Sequence, residues 1–300
     1  MTETTRPFGA LLTAMVTPMH ADGEIDFPAL QALAKFLVAQ GNDGLVLSGT
    51  TGEAPTTHAP EKVEIIEAVR EAVGPAVYVV AGAGSNDTAH AVRMAEQAAG
   101  AGADGVLALV PYYSKPQQAG IVAHISAIAS ASALPVMLYD IPGRTGIALT
   151  DGSYDELALL PTVIANKDAT GNVEASKDRI ARTGLAWYSG DDPLTLEFLR
   201  QGGVGVVSVI SHIASPWIRA MIAAHDANDA GLADAWHDKL LPVVDAIMGR
   251  GPGGVMSKAA LQAAGVIPSR ATRLPYVPAT DAEYVAIATF MRDAGLPVQE

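Results

Sequence analysis

Cysteine is absent from the 300-residue chain. Disulfide bonds, thiolate catalysis and cysteine-ligated zinc are therefore excluded, and the composition fits a protein that works in a reducing compartment. No apolar run approaches the length that spans a bilayer, and residues 1–8 contain no apolar signal segment. We therefore expect a cytoplasmic protein without a membrane partner.

Positive charge is scarce, since 19 Lys and Arg residues stand against 32 Asp and Glu residues and give a formal net charge of −13. A net anion of this size repels nucleic acid, so no nucleic-acid partner is expected. An anionic ligand would need positive charge concentrated at its site, which makes each Lys and Arg position informative. Hydrophobic residues at 49% and charged residues at 17% exclude disorder and indicate a globular protein.

Sequence signals for a metal or a dissociable cofactor are missing. Gly82-Ala-Gly84 lacks the third glycine of a dinucleotide fingerprint, and Gly249–Gly254 lacks the Gly-Lys-Ser/Thr ending of a phosphate-binding loop. The seven histidines include no pair at the spacing of metal ligands. The adjacent Asp191 and Asp192 are better explained as hydrogen-bond acceptors than as ligands of Mg²⁺. We expect neither a metal nor a bound cofactor.

Short apolar runs rich in β-branched residues alternate with helical segments over the first two thirds of the chain. Continuous apolar runs of this length are typical of strands covered on both faces of a parallel sheet. The eight runs are Ala10–Thr17, Gly44–Glu53, Val77–Gly84, Gly105–Tyr113, Pro135–Pro142, Val163–Thr170, Ala186–Asp192 and Gly203–Ile210. Eight strand–helix units predict an α/β fold, namely a (β/α)8 TIM barrel, with a doubly wound sheet as the alternative.

Capping residues mark where the first helices begin. Asp26, Pro60 and Asp87 each precede or open a segment whose apolar residues recur at helical spacing. Four further helical segments follow the last apolar run, near Pro216–Asp226, Leu232–Met248, Val255–Ala264 and Asp281–Ala294. We predict a barrel over residues 1–225 and a C-terminal helical extension over residues 226–300.

Lys167 is the most informative charged residue. It interrupts the apolar run Val163–Thr170, whereas the other six lysines fall in helical or loop segments. Chemistry in barrels of this kind takes place at the C-terminal ends of the strands. Burial disfavours the ammonium form, and the neutral amine is the form that attacks a carbonyl to make a Schiff base. The alternative is a loop lysine paired with Asp168.

Other polar residues fall at predicted strand ends as well. Arg144, just past the fifth run, carries a guanidinium that can hold a carboxylate through two parallel hydrogen bonds, or it is a solvated loop residue. Gly49-Thr-Thr-Gly-Glu53 places two hydroxyls between glycines, either to converge on a small anion or as an ordinary polar turn. Tyr112, Tyr113 and Tyr139 are, taken alone, more often packing residues than proton carriers.

Four motifs occur in order at the ends of the second, fourth, fifth and sixth runs. They are Gly49-Thr-Thr-Gly-Glu53, Pro111-Tyr-Tyr113, Tyr139-x-x-Pro-x-Arg-x-Gly146 and Lys167-Asp-Ala-Thr-Gly171. Together they resemble the dihydrodipicolinate synthase and N-acetylneuraminate lyase family of class I aldolase barrels. The resemblance extends from Leu11 to Pro275 and is closest to the synthase branch.

The resemblance implies a lyase that condenses pyruvate with L-aspartate-4-semialdehyde, the entry step to diaminopimelate and lysine. Lys167 matches the Schiff-base lysine. Pyruvate would therefore be held as a covalent imine on this residue, without a cofactor. Thr51 matches the residue that holds the pyruvate carboxylate. Thr50, Tyr139 and Tyr113 match a proton relay, in which Tyr113 reaches the site from the neighbouring subunit.

Further expected substrate contacts follow from the same resemblance. Arg144 matches the residue that binds the carboxylate of the semialdehyde, and it separates the synthases from the sialic-acid lyases. Val207 matches a position whose carbonyl lies near the lysine, and Gly49 opens the threonine motif beside the substrate. Asp140 stands where many synthases have Asn.

The family is usually a dimer of dimers, so we expect a homotetramer. In synthases inhibited by lysine, the effector binds at the dimer interface. The matching residues here are Ala54, Pro55, Ala59, Lys62, Asn86, His90 and Tyr112. Sensitive forms commonly have His at the position of Ala59 and an acid at that of His90. Because this chain lacks those partners and adds the Lys62 cation, we expect weak or absent inhibition by lysine.

Three other functions remain as alternatives. The first is another pyruvate-dependent aldolase, such as a 2-keto-3-deoxy sugar-acid lyase, which would differ in its second substrate. The second is a non-catalytic barrel that binds pyruvate without turnover, since fold does not guarantee function. The third is a metal-dependent barrel enzyme.

Overall fold

A computed structural model describes residues 5–299 and shows a closed parallel barrel in which neighbouring strands follow chain order and β1 pairs with β8. Each strand lies within its predicted apolar run and is shorter, because the polar C-terminal end of the run belongs to the following loop. The strands are Leu11–Ala14 (β1), Gly44–Leu47 (β2), Tyr78–Gly82 (β3), Gly105–Leu109 (β4), Val136–Asp140 (β5), Val163–Asp168 (β6), Ala186–Ser189 (β7) and Gly205–Ser208 (β8). The predicted TIM barrel is confirmed, and the doubly wound sheet is wrong because the sheet has no open edge.

Helices cover the outside of the barrel and continue to the C-terminal region. They are Phe27–Ala39 (α1), Ala59–Val73 (α2), Thr88–Gly100 (α3), Gln118–Ser132 (α4), Pro142–Thr145 (α5), Asp151–Leu157 (α6), Val173–Thr183 (α7), Thr195–Arg200 (α8), Ser211–Asp226 (α9), Ala230–Met248 (α10), Gly253–Ala263 (α11) and Asp281–Asp293 (α12). The predicted caps are confirmed, since the Asp26 and Asp87 carboxylates accept from the backbone N–H groups of Ala29 and Ala89. None of the helices described between residues 5 and 299 is long and apolar enough to cross a bilayer.

Helix α9 begins earlier than its sequence pattern indicates. The sequence predicts a helical segment near Pro216–Asp226. The structure starts the helix at Ser211 and accommodates the proline through a kink at Ala214, where φ is −125°. The missing N–H of Pro216 therefore falls where the helix is already interrupted.

Three apolar clusters form the core. One fills the inside of the barrel with residues such as Leu12, Met137 and Val207, and a second lies between the strands and the surrounding helices. A third joins Leu11 and Val206 of the barrel wall to buried residues of α9–α12. The C-terminal helices thus share a core with β1 and β8. The boundary predicted between residues 225 and 226 falls at the end of α9 and stays a prediction.

Candidate active site

Lys167 lies inside strand β6 and points into the barrel. Its side chain is buried, and its Nζ lies 4.4 Å from the centroid of the Tyr139 ring on the adjacent strand. Room for the side chain comes from Gly190, where a Cβ would approach the Lys167 Cε to 3.1 Å. The contact with the aromatic ring holds the buried amine in one place.

The alternative of a loop lysine paired with Asp168 is wrong. Strand β6 includes both residues, and successive side chains of a strand point to opposite faces. The Asp168 carboxylate points away from the barrel interior and accepts from the Thr170 N–H at 2.8 Å and from the Ser176 hydroxyl at 2.7 Å.

The motif Gly49-Thr-Thr-Gly-Glu53 follows β2 and is no ordinary surface turn. The Glu53 N–H donates to the carbonyl of Thr50 at 3.1 Å, which closes the turn, and Glu53 has a left-handed φ of 61°. The Glu53 side chain is buried against Lys258. Thr50 and Thr51 are half-buried at the mouth of the barrel.

A cavity of about 210 Å³ joins several of the predicted residues at the C-terminal ends of the strands. Gly49, Thr50, Tyr139 and Arg144 line it. The cavity is also bordered by Ala54, Pro55 and Tyr112, which sequence analysis assigned to the effector interface, and by Gly82, Gly84, Leu107, Leu109, Ile141, Thr145 and Ser48. Two of the predicted catalytic residues, Thr50 and Tyr139, therefore border the same space as three of the predicted effector residues.

Thr51, Tyr113, Lys167 and Val207 do not line this cavity. Lys167 contacts Tyr139, which lines the cavity. Val207 is buried in β8, within the apolar cluster that also contains Tyr139. The predicted role of Thr51 and of the Val207 carbonyl is therefore not evident from the cavity itself.

Tyr113 stands apart from the other predicted residues. It is 87% exposed, so the interpretation as a packing residue is wrong within this chain. Its backbone has a φ of 74°, a conformation that costs energy for a non-glycine residue, and its N–H donates to the Thr145 carbonyl at 3.3 Å. The ring is therefore open to solvent and does not line the chain's own cavity.

Two carboxylates, those of Asp191 and Asp192, follow strand β7 and lie near Lys167. Burial raises the pKa of Asp191 and of Asp192, while the nearby Lys167 acts in the opposite direction. Asp192 accepts from the N–H groups of Val209 and Ile210 at 2.9 and 3.1 Å and from the Ser208 hydroxyl. For Asp192, the predicted role as a hydrogen-bond acceptor is confirmed, and the residue anchors the loop after β8.

Asp140 is buried on the outer face of β5, next to Tyr139 in sequence. Burial raises its pKa to about 6. One carboxylate oxygen accepts from the Leu149 N–H at 3.0 Å and from the Tyr154 hydroxyl at 2.9 Å, whereas the other oxygen has no partner among the described residues.

Sequence analysis missed several residues that shape the site. Gly82 allows the Ser48 carbonyl to come close, since a Cβ there would lie 2.2 Å from that oxygen. In the sequence, Gly82 belongs to an incomplete dinucleotide motif, which does not indicate this close contact. Lys258 was grouped with the other lysines, although its position in the apolar helical segment Val255–Ala264 was a signal that it is buried.

A closed (β/α)8 barrel with a lysine, hydroxyls and a guanidinium at the C-terminal ends of its strands has the architecture of a barrel enzyme. The chain belongs to the dihydrodipicolinate synthetase family, whose model matches residues 7–294. The resemblance stated from the motifs is thereby confirmed.

Individual relatives agree with this assignment. The chain is 52% identical over 290 residues to 4-hydroxy-tetrahydrodipicolinate synthase of Bifidobacterium longum, with 97% of this chain and 96% of the relative covered. The crystal structure of a dihydrodipicolinate synthase from Bacillus anthracis is 38% identical, has a TM-score of 0.92, and is matched over 96% of this chain and 99% of its own. The chloride-inhibited enzyme from Acinetobacter baumannii, complexed with pyruvate, is 33% identical with a TM-score of 0.91 and the same coverage.

Proposed function

We propose that this chain condenses pyruvate with L-aspartate-4-semialdehyde to give 4-hydroxy-tetrahydrodipicolinate, through a covalent imine on Lys167. The observation that carries the proposal is the buried Lys167 amine beside Tyr139, in a chain of the dihydrodipicolinate synthetase family. Relatives with half of their residues identical carry the name of this synthase. The relative from Acinetobacter baumannii was solved with pyruvate.

The reaction begins with attack of the neutral Lys167 amine on the keto carbon of pyruvate and expulsion of water. The protonated imine withdraws electrons, so a methyl proton leaves and an enamine forms. The enamine carbon bonds to the aldehyde carbon, and the resulting alkoxide takes up a proton. The substrate's own amine then displaces Lys167 from the imine carbon, which closes the ring and frees the enzyme. No cofactor is needed, because the lysine itself supplies the electron sink.

The surrounding side chains take the roles that the family motifs imply. Thr50 and Tyr139 transfer protons between the imine and solvent, together with Tyr113 from a neighbouring subunit. Thr51 and Gly49 hold the pyruvate carboxylate through N–H and hydroxyl donors. The position of Gly49 in the cavity lining supports this assignment, and Thr51 is half-buried two residues further along the same loop.

Two residues complete the proposed substrate contacts. The Arg144 guanidinium is exposed at the edge of the cavity, where it can meet the carboxylate of the semialdehyde. The proposal also gives Val207 of β8 the role that the family motif implies, with its carbonyl near the lysine. We further propose a cytoplasmic homotetramer built as a dimer of dimers, supported by the exposed Tyr113 that a neighbouring subunit would cover.

The test is pyruvate consumption by purified protein in the presence of a chelator, with and without L-aspartate-4-semialdehyde. Turnover that requires the semialdehyde is expected, and it is lost when Lys167→Arg removes the nucleophile. Lys177→Arg, at an exposed position of α7, is the matched control and retains full turnover. Borohydride reduction followed by mass spectrometry is expected to show the pyruvate adduct on Lys167.

Each other result selects a different function. An adduct on Lys167 without semialdehyde-dependent turnover would retain the aldolase chemistry and favour a lyase for a 2-keto-3-deoxy sugar acid. Pyruvate binding without adduct or turnover would indicate a non-catalytic barrel. Activity that the chelator abolishes would indicate a metal-dependent enzyme and contradict the imine mechanism.

A further inference from the structure

Helix α11 contributes a fully buried charge that no step of the proposed reaction uses. The Lys258 side chain is 0% exposed, and its Nζ lies 2.5 Å from the Glu53 carboxylate, which is itself 3% exposed. The two residues are 205 positions apart in the chain. Burial of two charges is costly, and the pair persists only because each charge compensates the other.

The remaining polar atoms of the pair are also satisfied. Lys258 donates to the carbonyl of Ala271 at 2.7 Å, and the second Glu53 oxygen accepts from the Arg273 N–H at 2.9 Å. Arg273 continues the network outward through its guanidinium, which binds both carboxylate oxygens of Glu61. The Glu53–Lys258 pair is thus the inner end of a network that joins the β2 loop to the segment after α11.

The same helix contacts the β2 loop at a second point. Gly254, in the first turn of α11, lies so close to the Thr51 carbonyl that a Cβ would approach this oxygen to 2.7 Å. On the other side, the Thr17 hydroxyl donates to the Gly52 carbonyl at 2.8 Å. The loop is therefore held between α11 and the segment after β1.

The position of Glu53 is coupled to that of the two threonines. Its N–H closes the turn on the Thr50 carbonyl, and its backbone has the left-handed φ of 61°, which requires support from outside the turn. A buried ion pair is weak evidence for overall stability, because apolar residues of similar volume often serve as well. A role in geometry explains the pair better than a role in stability.

We propose that Glu53 and Lys258 are positioning residues that hold the Gly49–Glu53 loop so that the hydroxyl and N–H donors of Thr50 and Thr51 face pyruvate. The effect on pyruvate rests on the proposed function. The effect on the loop does not, because it follows from the contacts of Glu53 and Lys258 alone.

The first experiment removes both charges with Glu53→Gln/Lys258→Met. Because the Thr50 and Thr51 groups that donate to the pyruvate carboxylate change orientation, we expect KM for pyruvate to rise about tenfold or more, with a smaller change in KM for the semialdehyde. Hydrogen exchange of the peptide that covers residues 49–53 is expected to accelerate. The matched control is Arg6→Gln/Asp226→Asn. It removes an ion pair in which the Arg6 guanidinium donates to the two Asp226 carboxylate oxygens at 2.7 and 2.8 Å. Both KM values and the exchange at residues 49–53 are expected to stay unchanged.

A second variant keeps the proposal testable if the double variant fails to fold. Glu53→Asp retains the charge but shortens the side chain by one methylene, so the loop must move to keep the pair. It is expected to raise KM for pyruvate while the melting temperature stays close to that of the wild type. Asp226→Glu is its control at the distant pair.

Wild-type exchange at residues 49–53 together with wild-type KM for pyruvate would overturn the proposal, even if the melting temperature fell. Failure of the proposed function has a different signature. In that case the wild-type protein fails to consume pyruvate with the semialdehyde, while the exchange experiment still decides whether Glu53 and Lys258 hold the loop.

Discussion

At the scale of single residues, Asp140 shows how burial acts on one ionisable group. The carboxyl has no exposed surface, and one of its oxygens lacks a partner among the described residues. Desolvation raises its pKa from 3.8 to about 6 and outweighs its hydrogen bonds to Leu149 and Tyr154. The folded state therefore binds this proton more tightly than the unfolded state, and ionisation of Asp140 destabilises the fold.

The variant Asp140→Asn should be more stable than the wild type at pH 8. The rise in the pKa of Asp140 from 3.8 to about 6 corresponds to at most about 3 kcal/mol in the free energy of unfolding. The gain should develop as pH rises from about 4 to about 6 and remain constant above, because only the wild-type carboxyl must ionise. Denaturant unfolding at a series of pH values measures the difference.

Asp245→Asn, the same substitution at an exposed position of α10, is the matched control. A stability difference between Asp140→Asn and the wild type that is equal at pH 4 and pH 8 would contradict the assignment of a raised pKa to Asp140. Asn retains an oxygen that can accept from the Leu149 N–H and the Tyr154 hydroxyl, so the substitution is expected to be compatible with the fold.

At the scale of secondary-structure elements, Lys62 links α2 to the 3-10 helix Ala54–Thr56 that follows the threonine motif. Its ammonium donates to the carbonyl of Ala54 at 2.9 Å and to the carbonyl and hydroxyl of Thr57. Burial lowers the pKa of Lys62 to about 8. The carbonyl groups at this junction are therefore already bound to an amine of the chain itself.

Free L-lysine should inhibit weakly or not at all, because an effector ammonium would meet the Lys62 cation and carbonyls that are already bound. Steady-state inhibition assays over a range of lysine concentrations measure this, and an inhibition constant below the millimolar range would refute the prediction. Ala59→His/His90→Glu is the comparison variant, because it adds an imidazole and a carboxylate. Inhibition of this variant is expected to be stronger than that of the wild type.

At the scale of the whole molecule, the structure places a proposed relay residue outside the chain's own site. Tyr113 is 87% exposed, and it is not among the residues that line the cavity of Thr50 and Tyr139. A proton relay that includes Tyr113 therefore requires a second subunit. The proposed relay thus implies an active unit of at least two subunits.

The variant Tyr113→Phe should lose turnover by about tenfold or more while it still forms the imine, because only the relay is interrupted. Mixing it with Lys167→Arg after dissociation and reassociation gives the sharper test. A mixed dimer contains one site with an intact Lys167 and with Tyr113 from its partner, so two impaired variants should regain activity together.

No recovery in the mixture, with mixed dimers shown by native mass spectrometry, would mean that Tyr113 acts within its own chain or not at all. Tyr78→Phe is the matched control, since Tyr78 packs edge-on against Phe8 at the start of β3 and should leave turnover unchanged. Sedimentation velocity of the wild type would separately test the proposed tetramer.

The sequence by itself determined the barrel and the order of its elements. Apolar runs, capping residues and glycines act within a few residues of each other, so their pattern indicates strands and helices before any long-range contact is known. The same local signal isolated Lys167, because a lysine inside an apolar strand is rare. The ordered motifs then identified the family, which the match over residues 7–294 confirms.

Only the tertiary structure decided which distant residues meet. No local pattern pairs Glu53 with Lys258, because the contact depends on how α11 returns to the barrel mouth 205 residues later. The structure also joined the predicted effector residues Ala54 and Tyr112 to the cavity of Thr50. Contacts of this kind arise from closure of the sheet and packing of the helices around it, which local sequence patterns do not encode.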